Sequence, residues 1–219
     1  MIKRLFDIVF SLLVLFFLSP VFIMVAILIK ASSNGPVFYI AKRAGFNGAP
    51  FDVFKFRSMH IGSDKQESIS LPNDTRAFGL GSFLRKTKLD EIPQFINVLI
   101  GDMSVVGPRP EDINIVKKYY SEQEMKTLSV KPGIVSPGSI YNYTHSHLYL
   151  DGADVENSYI KKLLPVKLAL EIIYIERMNF FYDLQLIWRT IVTIIKIMLG
   201  VKEFKDPIEY IIAKNRGIF

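Results

Sequence analysis

The residues best suited to chemistry lie between Leu84 and Pro110, in LRKTKLDEIPQFINVLIGDMSVVGPRP. Two adjacent carboxylates, Asp90 and Glu91, stand just ahead of Ile92-Pro93 and of apolar residues at helical spacing (Ile92, Phe95, Ile96, Leu99). Proline is tolerated in a first helical turn, where its missing N–H would be unpaired anyway. The pattern therefore predicts Asp90 at or near a helix N-cap, where unpaired N–H groups and the helix dipole favour anions such as phosphate. Paired carboxylates can bind a hard cation such as Mg2+ through oxygen. One of them can instead act as a nucleophile in phosphoryl transfer. An ordinary helix start carries the same pair, so Asp90 and Glu91 alone leave the choice open.

Basic residues surround this pair in the sequence. Arg85, Lys86 and Lys88 lie just upstream. Downstream, Gly107-Pro108-Arg109-Pro110 sets one arginine between two prolines, each of which fixes φ and restricts its predecessor. A guanidinium held on so stiff a turn can grip phosphate with two parallel hydrogen bonds; an exposed turn arginine is the plain alternative. Lys55 and Arg57, two apart in KFRSM, are expected on one strand face, either as phosphate contacts or as a solvated edge. The imidazoles are His60, His145 and His147, and there is no cysteine. Disulfides and thiolate metal sites are thereby excluded, and a His-built zinc site is not expected.

These groups need a scaffold. Asn34-Gly35-Pro36 is a turn, Val37 to Ile40 reads as a strand, and Phe51 to Met59 alternates like a second, so the two suit a hairpin. Residues 60–80 are polar and are expected to form a loop. Helical spacing resumes at Phe83-Leu84, and residues 113–128 read as an amphipathic helix. Lys131-Pro132-Gly133 opens a turn-rich stretch reaching about residue 158. Two helices follow, over 163–178 and 182–199. In the second, basic Arg189 and Lys196 share a face opposite apolar residues, with Trp188 and Tyr182 nearby. That arrangement suits a helix lying in a membrane interface, or an ordinary core helix.

The segment from Leu5 to Ile29 is almost wholly apolar. It is long for a signal-peptide core, and no small-residue cleavage site follows. A spanning helix fits by length. Against it stands Ser19-Pro20 in mid-run: the proline removes an N–H, leaves the Phe16 carbonyl without its partner and kinks the helix, while Ser19 can satisfy freed backbone groups. Lys3 and Arg4 precede the run, and Lys30, Lys42 and Arg43 follow it. Basic residues favour the cytoplasmic side, so two basic flanks favour a re-entrant hairpin. Leu5 to Ser19 would rise roughly 22 Å, short of a ~30 Å hydrocarbon core.

Composition is consistent with this. Half the residues are apolar and the net charge is +6, with a positive mean hydropathy. These values suit a small globular body with limited membrane insertion and anionic partners. A nucleic-acid binder fits the charge alone; the basic residues form no continuous stripe, and the first segment seeks lipid.

Taken together, these segments resemble the bacterial sugar transferases, or monotopic phosphoglycosyl transferases, over nearly the whole chain. The resemblance rests on Ser19-Pro20, NGPVFYIAKRAG, FDVFKFRSM, the Asp-Glu segment through Pro-Arg-Pro, VKPGI and YIERMNFFYDLQLIWRTI. It implies an α+β, membrane-associated fold: a re-entrant kinked helix over 1–30, a small, mostly helical catalytic domain with a β-hairpin and interfacial helices over 31–200, and a tail over 201–219. It also implies a reaction at the cytoplasmic face of the bacterial inner membrane. A nucleotide diphospho-sugar, with uridine the usual nucleotide, and polyprenyl (undecaprenyl) phosphate give polyprenyl diphospho-sugar and nucleoside monophosphate. Asp90 would be the nucleophile, forming an aspartyl phospho-sugar. Mg2+ would be held by Asp90 and Glu91, with Glu91 acting at the metal or as a base. Arg85, Arg109, Lys55 and Arg57 would hold phosphates. A non-catalytic membrane adaptor of the same fold is the alternative. After Ile134 the chain reads VSPGSIYNYTHSHLY, where many members carry Gly-Trp and then Gly-Arg-Asn, so rules of sugar specificity do not transfer.

Overall fold

The computed structural model describes residues 2–63, 69, 74–150 and 154–219. Of the loop expected over 60–80, residues 64–68 and 70–73 lie outside that range.

The apolar N-terminal run forms two helices, α1 (Ile2–Phe17) and α2 (Ser19–Ser32), bent by 61°. The break is where proline chemistry places it. Pro20 cannot donate to Phe16, and Ser19 Oγ donates to the Phe16 carbonyl instead, at 2.8 Å. No single helix among the described residues is long and apolar enough to cross a membrane; the bent pair passes by length and composition together.

One face of α1 is docked on the body. Asp7, buried, accepts from Ser104 Oγ (2.9 and 3.0 Å) and from the Val105 N–H (2.9 Å). Arg4 donates to the Val98 and Leu99 carbonyls at 2.5 and 2.9 Å, and Lys3 pairs with Asp183. The opposite face leaves Leu5, Val9, Leu12, Phe16 and Phe17 exposed.

The hairpin expected after Pro36 is present as β1 (Phe38–Ala44) and β2 (Pro50–Phe56), antiparallel in register Phe38↔Phe56 to Ala44↔Pro50. Then come α3 (Gly79–Thr87), a 3-10 turn over Leu89–Glu91, α4 (Gln94–Ile100) and β3 (Ser104–Val106). β3 pairs in parallel with β4 (Gly133–Val135). Their side chains join Val98, Met103, Ile140, Tyr174 and Leu186 in one core cluster.

Two stretches depart from the sequence reading. Residues 113–128 split into α5 (Ile113–Tyr119) and a separate 3-10 turn (Glu124–Leu128). Ser121 and Glu124 bind each other at the break, where the Glu124 side chain takes the Ser121 N–H at 2.7 Å. The stretch read as turns contains α6 (Pro137–His145), capped by Ser136 Oγ on the Ser139 N–H with Pro137 in its first turn, and a short α7 (Val155–Ser158).

α8 (Leu164–Arg177) runs through the centre with most of its residues buried. α9 (Phe180–Met198) buries Leu186, Thr190 and Thr193 and exposes Leu184, Trp188, Ile191, Ile195 and Met198. The C-terminal segment carries α10 (Ile208–Asn215), whose Ala213 packs with Ala169 and Ile173 of α8. Arg189 of α9 forms a two-pronged bond with Glu209 of α10, at 2.6 and 3.0 Å.

Candidate active site

Asp90 does not cap α4. It lies one turn earlier in the 3-10 segment, and the cap position falls to Pro93, which offers no side-chain acceptor. The 3-10 turn tucks both carboxylates inward, leaving Asp90 and Glu91 7% and 6% exposed. They open onto a cleft of about 1150 Å³.

Opposite them stands the Pro-Arg-Pro turn, held from three sides. The turn after β3 folds back so closely on the start of β4 that a Cβ on Gly107 would meet the Lys131 carbonyl at 2.4 Å, and one on Gly133 would meet Gly107 N at 2.0 Å. Glycine is needed at both for that approach. The Gly107 N–H donates to Val135 O at 3.0 Å and the Gly133 N–H to Pro108 O at 2.9 Å. From α8, Glu171 accepts the Arg109 N–H (3.3 Å) and the Ser136 hydroxyl (2.7 Å), while Lys167 donates to Glu111 at 3.2 Å.

So anchored, Arg109 reaches Glu91 with both prongs, Nη2 to Oε1 at 2.6 Å and Nη1 to Oε2 at 3.3 Å. Tyr143 of α6 accepts from Arg109 Nη1 (3.1 Å) and donates to Glu91 Oε2 (3.3 Å). Lys55 of β2 adds a contact at 3.4 Å. Glu91 is thus saturated by cations. Asp90 is not: its Oδ1 is buried with no hydrogen-bond partner among the described residues.

The two carboxyls respond oppositely. Burial, then the charge of Glu91, pushes Asp90 up, with Lys55, Lys88 and Arg85 opposing. Burial is also the largest influence on Glu91 and acts upward, but Arg109 and Lys55 together overcome it and hold Glu91 well below the usual range.

Among the residues expected to act together, Asp90, Glu91, Arg85, Arg109 and Lys55 line this cleft. Arg57 does not. β2 ends at Phe56, so the alternation with Lys55 lapses. The buried guanidinium turns away to the Pro36, Asn34 and Ser33 carbonyls (2.7–2.8 Å) and to Ser33 Oγ (3.2 Å). It clamps the exit from α2.

Three cleft residues had no role assigned from sequence. Tyr143 is 52 residues from Glu91, with no local signal linking them. Gln94, 2% exposed on α4, lines the cleft with Nε2 unpartnered among the described residues. Lys88 holds a left-handed backbone (φ 60°, ψ 16°) between α3 and the 3-10 turn, and its ammonium lies 3.8 Å from the Tyr143 ring centre. Burial lowers it to about 8. His145 stacks on Tyr141 and faces Asp206 at 3.5 Å. No group of three acidic or imidazole side chains among the described residues could hold a metal.

Cationic side chains in the described cleft wall outnumber acidic ones eight to four, which favours anionic ligands. The bacterial sugar transferase family model matches residues 1–197. This chain belongs to that family.

Among curated relatives, it is 37% identical over 192 residues to a UDP-glucose:undecaprenyl-phosphate glucose-1-phosphate transferase of Klebsiella pneumoniae, covering 86% of this chain and 39% of that protein. It is 34% identical over 197 residues to a UDP-N-acetylgalactosamine-undecaprenyl-phosphate N-acetylgalactosaminephosphotransferase of Aeromonas hydrophila, covering 89% of this chain and 44% of that one. It is 32% identical over 190 residues to the uncharacterized sugar transferase EpsL of Bacillus subtilis, covering 87% and 85%. The chain spans about two fifths of the length of the first two. The family match takes in the bent helix pair, the hairpin, the Asp-Glu turn, the Pro-Arg-Pro turn and nearly all of α9.

Proposed function

We propose that this member of the family moves a sugar 1-phosphate from a nucleotide diphospho-sugar, with a UDP-sugar as the default, to polyprenyl phosphate. The observation that carries the reading is the contrast within the pair. Beside a cationic cleft, Asp90 keeps a buried oxygen with no hydrogen-bond partner among the described residues, while neighbouring Glu91 is neutralised by Arg109. A desolvated carboxylate oxygen with no competing donor is a competent nucleophile.

An Asp90 carboxylate oxygen attacks the sugar-side phosphorus of the donor. The phosphoanhydride P–O bond breaks, and the nucleoside monophosphate leaves with the bridging oxygen and its electron pair. An oxygen of polyprenyl phosphate then attacks the same phosphorus and displaces the Asp90 carboxylate. Arg85, Arg109 and Lys55 offset the phosphate charge.

Of the two roles open to Glu91, its depressed pKa disfavours the base. Mg2+ commonly takes one or two carboxylates and completes its shell with phosphates and water. The Asp90 carboxylate would supply one such ligand and Glu91 a second on exchanging an Arg109 hydrogen bond, and a bound Mg2+ would neutralise diphosphate charge.

The bent helices suit a re-entrant hairpin in the bacterial inner membrane, with the body on the cytoplasmic face. α1 measures about 24 Å at 1.5 Å per residue, under the ~30 Å of a hydrocarbon core, and both flanks are basic. The exposed apolar stripe of α9 would lie in the same interface.

Incubation with a UDP-sugar radiolabelled in the sugar, without lipid acceptor, should leave acid-stable label on the protein with release of one UMP per chain. Turnover without any such label would replace the covalent route with direct transfer. A non-catalytic adaptor would release no UMP from any UDP-sugar.

A further inference from the structure

Lys88 is placed at some cost. Its backbone is left-handed, a region a side-chain-bearing residue occupies with strain and glycine occupies freely. Its ammonium makes no hydrogen bond or ion-pair contact among the described residues; its close partner is the Tyr143 ring, 3.8 Å away. Tyr143 is itself fixed through its hydroxyl by Glu91 and Arg109, so the ring is a rigid shelf. A cation over an aromatic face keeps its N–H donors available.

Lys88 and Gln94 line the same cleft, two residues before and four after Asp90. Each carries a donor without a hydrogen-bond partner: the Lys88 ammonium, and Gln94 Nε2 although it is buried. Unsatisfied buried donors are costly, and strained backbone at a site points to use there.

Resting on the transferase reading above, we propose that Lys88, seated on the Tyr143 ring, is a phosphate-oxyanion contact of the reaction. With Gln94 it brackets the phosphoryl group that Asp90 attacks. The oxyanion belongs to the donor diphosphate or to the lipid phosphate, which share this chemistry.

The full chain in nanodiscs is compared with K88M, K88R and K88G. Calorimetry with UDP and with pyrophosphate reads binding independently of turnover, and UMP release reads the KM of UDP-sugar and of polyprenyl phosphate. K88M is expected to weaken UDP and pyrophosphate binding about 10- to 100-fold, and K88R to recover most of it. K88G should raise Tm by relieving the backbone and yet lose binding as K88M does, a split that a purely structural lysine would not give. A rise confined to the KM of polyprenyl phosphate assigns the contact to the lipid phosphate. The proposal is overturned if all three variants stay within twofold of wild type for both probes and both substrates, or if wild type itself binds neither probe. If wild type binds pyrophosphate in a Lys88-dependent way but releases no UMP from any UDP-sugar, the functional reading falls and the anion site stands.

Discussion

At the scale of single residues, the site works by treating two like carboxylates unlike. Glu91 is held by a guanidinium, a phenol and an ammonium, whereas Asp90 keeps an oxygen with no hydrogen-bond partner among the described residues. Asp90→Asn preserves shape and removes the charge. It should cut UMP release by at least about 10³-fold, as loss of a nucleophile does, with an unchanged melting profile. Near-wild-type turnover in that variant would remove Asp90 from the chemistry. Arg57 illustrates the opposite outcome. Its charge made it a phosphate candidate, but its four hydrogen bonds are spent on the turn after α2. Arg57→Met should therefore cost about 2–4 kcal/mol of stability by orphaning buried carbonyls. Measured in chaotrope, that loss should come with a nearly normal KM for the donor.

At the scale of elements, proline and glycine decide where chemistry can sit. Pro20 divides an apolar run long enough to span into two short helices, and Gly107 and Gly133 let the turn after β3 fold back onto β4 tightly enough to hold Arg109 in place. The re-entrant reading can be tested cleanly because the chain has no cysteine of its own. Single cysteines at Ile2 and Asn34 should both react with an impermeant maleimide only when the cytoplasmic face is open. Reaction from opposite faces would make the pair a broken span. Asn34 is preferable to Gly35, whose φ of +121° and close contact with Ile61 disfavour any side chain.

At the scale of the whole molecule, α8 links the core to the site and makes stability pH-dependent. Burial pushes Glu171 up to about 7 from an ordinary 4.5, against the Ser136 hydroxyl, the Arg109 N–H and the positive charge of Lys167. The folded state then binds this proton more tightly than the unfolded chain does. Its contribution is full below pH 4.5 and is lost as pH rises through 7, at most about 3 kcal/mol. Glu111 has the opposite sign. Burial acts upward, but Lys167 and Arg43 bring it down to about 2, so its contribution is present above 4.5 and lost as pH falls towards 2. Glu171→Gln should flatten the decline in unfolding free energy between pH 5 and 8. A slope equal to wild type would mean that Glu171 titrates normally.

Elements whose causes are local are legible in the residues alone. The Ser19-Pro20 bend, the hairpin, α8, α9 and the rigid arginine turn follow from proline geometry and apolar period, which neighbouring residues set. The sequence also marked Asp90, Glu91 and Arg109 as the group to watch, although as isolated motifs they remained ambiguous. Tertiary structure alone decided which charges meet. Tyr143 reaches Glu91 across 52 residues, Glu171 supports Arg109 across 62, and Arg57 leaves the site because β2 stops one residue earlier. Such pairings depend on how helices and strands pack, and packing depends on contacts between residues far apart in the chain, which no local pattern records. The same packing turned Asp90 and Glu91 from equivalent neighbours into a carboxylate with an unpartnered oxygen among the described residues and a neutralised one.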